Sequence, residues 1–116
     1  LEQDDKAKGA VKMLRNYTAV VCANDLLAES LILSLRAEGL NVPGDVSVTG
    51  YDNMPRELVQ GELTTVLIPE EKIASSFISL AQARMSNSAE LGEKAVLIVR
   101  PIIIPRSSWG SIGGDR

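Results

Sequence analysis

Ala19-Val-Val-Cys-Ala-Asn-Asp-Leu-Leu-Ala28 decides how the rest of the chain reads. Small apolar residues run without polar alternation from Thr18 to Ala23, which suits a strand covered on both faces, as in a parallel sheet. The run stops at Asn24-Asp25, and a helical pattern begins at once. Leu27, Ala28, Leu31, Ile32 and Leu35 recur on one helix face over about residues 25–38. Gly39 is placed to stop that helix in a left-handed cap, and Pro43 follows soon after. Asp45-Val-Ser-Val-Thr-Gly50 is a second strand and ends in Tyr51-Asp52-Asn53. Strand, helix and strand in so short a stretch form a βαβ unit. Its two strands should be parallel and its crossover right-handed.

The remaining segments extend this α/β pattern in both directions. Ala7, Ala10, Val11 and Leu14 predict a helix over residues 3–15. Residues 54–62, with Pro55 and Gly61, read as a loop or a short helical turn. Leu63-Thr-Thr-Val-Leu-Ile68 is another strand. Pro69-Glu-Glu opens a helix that carries Ile73, Phe77, Leu80 and Ala81 to about Met85. A connector over 86–92 leads to strand-like Ala95–Val99 and Ile102–Ile104. The tail from Gly110 to Arg116 is expected to be flexible.

Composition narrows the function classes. The chain has 116 residues, enough for one modest core, and 45% of them are hydrophobic. Only 3% are aromatic, so the core must be built from Leu, Ile, Val and Ala. The net charge of −3 and the absence of a basic run argue against a nucleic-acid surface on this segment. With no His, the commonest general base and metal ligand is missing. Cys22, the single cysteine, reads as a buried free thiol. No segment is long and apolar enough to span a membrane, and the polar N-terminus is not a signal peptide. No cofactor or metal is expected.

In open α/β sheets, ligands bind outside the carboxyl ends of the strands. Asn24-Asp25 and Asp52-Asn53 both sit at such ends. Those ends lie about 5 Å apart if the strands are neighbours, and about twice that across one intervening strand. The carboxylates accept hydrogen bonds from hydroxyls, while the amides donate and accept. A polyhydroxylated ligand such as a sugar or nucleoside suits that set. Asn24 or Asp25 is equally a standard helix N-cap. Both roles fit if Asp25, nearer the helix, is the cap and Asn24 faces the pocket. Two carboxylates at sheet ends also suit Mg²⁺ or acid–base chemistry, but no nucleophile or phosphate-cradling glycine loop accompanies them. Thr64-Thr65 reads as plain strand chemistry.

These residues, in order and at close spacing, resemble the effector-binding core of LacI/GalR-family transcriptional regulators. The resemblance runs over about residues 9–108. It rests on Tyr17–Ala28, on Leu35–Asn53, on Leu63-Thr-Thr-Val66, and on Arg100-Pro-Ile-Ile-Ile-Pro-Arg-Ser-Ser108 as the closing strand with its Arg-Ser ending. It implies a parallel Rossmann-like sheet flanked by helices, one lobe of a two-lobed periplasmic-binding-protein-like type I fold. Residues 1–66 and 100–109 would form the C-terminal lobe, and 67–99 a segment of the N-terminal lobe. Asn24 and Asp52 would contact the effector, with Asp25 and Tyr51 beside them. Leu27, Leu31 and Met54 would lie in a homodimer interface. Operator DNA would be bound only through a helix-turn-helix that these residues do not include, in a cytoplasmic, non-enzymatic protein. Where the family pattern has a Pro before Leu-Thr-Thr, this chain has Glu62. Two other functions stay open on the residues alone: a periplasmic sugar-binding protein of a transport system, and a metal-dependent enzyme using Asp25 and Asp52.

Overall fold

The computed structural model describes residues 2–86 and 96–111, with side chains from Lys8 onward. The chain divides into two units, Leu1–Leu67 with Ile103–Arg116, and Ile68–Ile102. In the first unit, α1 (Glu2–Leu14) precedes β1 (Ala19–Val21), α2 (Asp25–Ala37), β2 (Ser47–Thr49), the short α3 (Glu57–Gly61) and β3 (Thr65–Leu67). The second unit holds α4 (Glu70–Met85). The last strand, β4 (Ile102–Ile104), pairs with β3 where the chain re-enters the first unit.

The βαβ unit forms as its sequence dictates. Strands β1 and β2 pair in parallel, with Val20 opposite Val48. Helix α2 buries Ala28, Ile32 and Leu35, one face at the expected spacing. It ends in a Schellman motif: Leu40 N–H donates to Leu35 O at 2.9 Å and Gly39 N–H to Arg36 O at 3.0 Å. Gly39 sits at φ +77°, a conformation glycine adopts without a Cβ penalty. Strand β2 is central, because it also meets the β3 segment through a parallel bridge between Thr49 and Thr64. Gly50 N–H donating to Thr64 O and Asp52 N–H to Val66 O, both 2.9 Å, carry that pairing onward. The core consists of Val11, Ala28, Ile32, Leu35, Val46, Val48, Val59 and Leu63, without an aromatic residue.

Several expectations need correction. Strand β1 is not covered on both faces: Ala19 and Val21 share one face and are exposed, Val21 by 83%, while Val20 on the other face packs against the core. Cys22 is half-buried rather than buried. Residues 96–99 form no strand, and Val96 and Ile98 are exposed. Pro69 occupies the N-cap of α4 and not its first turn. Helix α4 buries none of its residues, so its apolar face, with Phe77 72% exposed, meets no core within its own unit. The connector at 87–92, Ala95 and the tail beyond Ser111 lie outside the described residues.

Candidate functional site

The two polar strand ends are neighbours. Cys22 N–H donates to Thr49 O at 2.8 Å and Asp25 N–H to Tyr51 O at 2.9 Å, so Asn24-Asp25 and Tyr51-Asp52 leave the sheet side by side. Their roles differ from those the sequence suggests. Asn24 is the helix cap, with an extended backbone and a side-chain oxygen that accepts from Leu27 N–H at 2.9 Å. Asp25 is fully buried. Its carboxylate accepts from Met54 N–H at 2.8 Å and from the Thr65 hydroxyl at 2.5 Å. Asp25 therefore faces the loop after β2 and not solvent. Gly50 makes room for it: a Cβ there would overlap Asp25 Oδ1 and come within 2.9 Å of Leu63 Cδ2.

Asp52 is exposed and sits at φ +108°, a sparsely populated backbone conformation for a residue with a Cβ. Asn53 follows at φ +53°, the left-handed region that Asn tolerates best. Such outliers persist where surrounding contacts over-determine them. Here Asp52 N–H is held by Val66 O, Asn53 N–H by Thr65 Oγ1 at 3.3 Å, and Met54 N–H by Asp25. Gln60 donates to Met54 O at 2.9 Å. The result is a tightly held loop that presents one carboxylate, next to an amide on the neighbouring strand end.

The closing segment supports the same region, a role its residue types alone did not signal. Arg106 donates to Leu63 O at 2.8 Å and to Asn53 Oδ1 at 2.9 Å. Buried Ser108 bridges the sheet: its hydroxyl donates to Val48 O at 2.6 Å and accepts from Thr64 N–H at 2.8 Å. Thr64 and Thr65 are thus hydrogen-bonding struts of the loop. Glu62, where the resemblance would place a Pro, forms a two-pronged ion pair with Arg36 of α2. That hydrogen bond holds the Glu62 carboxyl below its ordinary range and pushes the Arg36 guanidinium up. Glu62 N–H also donates to Leu58 O at 3.0 Å, which a Pro could not do.

Tyr51 is exposed at the rim. Leu27 is 55% exposed on the outer face of α2, Leu31 packs partly against the core, and Met54 is half-buried. Among the described residues no group of three or more His, Cys, Asp or Glu is arranged to hold a metal, and no helix is long and apolar enough to cross a membrane.

The pattern of the periplasmic binding protein-like domain matches residues 2–109. The chain belongs to that family. Within it, the periplasmic binding protein-like domain described here is similar to the PurR transcriptional repressor of Vibrio atlanticus, 33% identical over 99 residues. That match covers 84% of this chain and 29% of the repressor. Among solved structures, the CelR regulator in complex with cellobiose aligns at a TM-score of 0.66 and 28% identity, over 91% of this chain and 33% of that one. The lac repressor dimer, bound to operator and the anti-inducer ONPF, aligns at 0.70 and 22% identity, over 87% and 36% respectively, and shows the shared fold. The chain thus spans about a third of the length of each of these relatives.

Proposed function

We propose that this domain is the effector-binding and dimerisation part of a LacI-type transcriptional regulator that senses a small polyhydroxylated metabolite in the cytoplasm. The observation that carries the reading is the exposed Asp52 carboxylate, held at φ +108° beside Asn24 on the adjacent parallel strand end. Asp52 accepts hydrogen bonds from ligand hydroxyls or ring N–H groups. Asn24 offers its amide nitrogen, since its oxygen is engaged by the helix. Tyr51 supplies a ring face at the rim, and Asp25 supports the loop from beneath. The relatives favour a sugar or nucleobase-type effector, since one solved relative binds cellobiose and another is the PurR repressor.

The unit Leu1–Leu67 with Ile103–Arg116 is read as the C-terminal lobe, and Ile68–Ile102 as a segment of the N-terminal lobe. Leu27, with Leu31 and Met54 at its edge, forms a homodimer contact, as the dimeric lac repressor supports. Operator DNA is bound through a separate helix-turn-helix. Effector binding shifts the equilibrium between lobe arrangements, and only by its differential affinity for them. The test is calorimetric titration of the intact protein with cellobiose, adenosine and guanine, together with operator retention in a gel. Saturable binding of one probe that alters retention supports the reading. A protein that holds no operator with or without these probes contradicts it.

A further inference from the structure

We infer that Arg106 is the positioning residue that holds the Asp52 loop in its left-handed conformation. The guanidinium reaches Leu63 O at 2.8 Å with one nitrogen and Asn53 Oδ1 at 2.9 Å with another. The planar fork of an arginine fits two fixed acceptors in a way an ammonium cannot. Its own backbone is fixed in turn, because Arg106 N–H donates to Thr64 Oγ1 at 2.8 Å and the Thr64 hydroxyl donates back to Arg106 O at 3.0 Å. Arg106 thereby ties Asn53 directly to the segment that opens β3. Asn53 is the second of two consecutive positive-φ residues, so fixing its side chain fixes the backbone step that sets where Asp52 points. Gln60 adds a weaker hold on the same oxygen, at 3.4 Å, and Thr65 Oγ1 accepts the Asn53 N–H. Arg106 touches no ligand in this account and acts through Asn53. The consequence for binding rests on the effector reading above; the positioning claim itself does not.

Amide hydrogen exchange in the intact protein, without any ligand, tests it. Arg106→Ala should raise exchange at Asp52, Asn53 and Met54 by roughly tenfold or more, the loss of about one charge-assisted hydrogen bond, and leave Val48 and Ile32 unchanged. Asn53→Gly should produce the same local rise, and the double variant no more than either alone. Where Arg106→Ala does not fold, Arg106→Lys is read instead and should give a smaller rise at the same three amides. Unchanged exchange at the loop, or a rise spread evenly through the unit, would overturn the inference, as would additive effects in the double variant. In parallel, Arg106→Ala should weaken binding of whichever of cellobiose, adenosine or guanine the wild type holds. Faster loop exchange with unaltered binding would leave the positioning role standing and remove Asp52 from the effector site.

Discussion

Replacing Asp25 by Ala removes a fully buried carboxylate beneath the candidate site. Two donors lose their acceptor: Met54 N–H at 2.8 Å and the Thr65 hydroxyl at 2.5 Å. Asp25 and Thr65 are fully enclosed, so water cannot readily replace the lost partner. An orphaned buried donor costs about 1–3 kcal/mol. The wild-type protein bears a desolvation cost for the carboxylate that the variant escapes. Together these give a net loss of about 2–4 kcal/mol. Asp25→Asn should fall between the variant and wild type. Its oxygen can serve Met54 N–H, while its NH₂ must then face Thr65, whose oxygen already accepts from Asn53 N–H. Urea denaturation followed by far-ultraviolet circular dichroism measures both, with the slope checked for constancy. A loss below about 0.5 kcal/mol for Asp25→Ala, within the range of an ordinary surface change, would show that these hydrogen bonds do not hold the loop.

Gly50→Ala should destabilise by about 1–3 kcal/mol in the same assay, because its Cβ must displace both the Asp25 carboxylate and the Leu63 side chain. The Arg36–Glu62 pair sets an acid-limb prediction. The hydrogen bond from Arg36 holds the Glu62 carboxyl of the folded protein below its ordinary range, so the contribution is present above the unfolded carboxyl's pKa and disappears as pH falls through the lower folded one. Both side chains are partly exposed, so the term stays under about 1 kcal/mol. Glu62→Gln should flatten that limb by this amount, and high salt should shrink the difference. Burial pushes the Cys22 thiol up, so it should react with a maleimide at neutral pH more slowly than an exposed cysteine, and speed up on denaturation.

The βαβ unit was legible in the sequence because its signals are local and agree. The stripe of α2, the Gly39 stop and the polar strand ends all point to one arrangement. The exchange of roles between Asn24 and Asp25 was not legible. Both residues cap helices well, and what separates them is Thr65, which approaches from a strand 40 residues later and offers Asp25 a buried partner. Arg106 was hidden for the same reason, since nothing near it in sequence names Asn53 as its acceptor. The strand expected at 95–99 failed because an apolar run forms a strand only when another strand pairs with it, and 96–99 have none among the described residues. The apolar pattern of α4 correctly marked a helix but could not say what would cover it.

The most direct measurement is a calorimetric titration of the intact protein and its Asp52→Ala variant with the probe the wild type binds best among cellobiose, adenosine and guanine. The variant should associate at least tenfold more weakly, a loss of about 1.4 kcal/mol or more, with an unchanged unfolding midpoint. Equal affinity for the two proteins would contradict it and take the effector away from these strand ends.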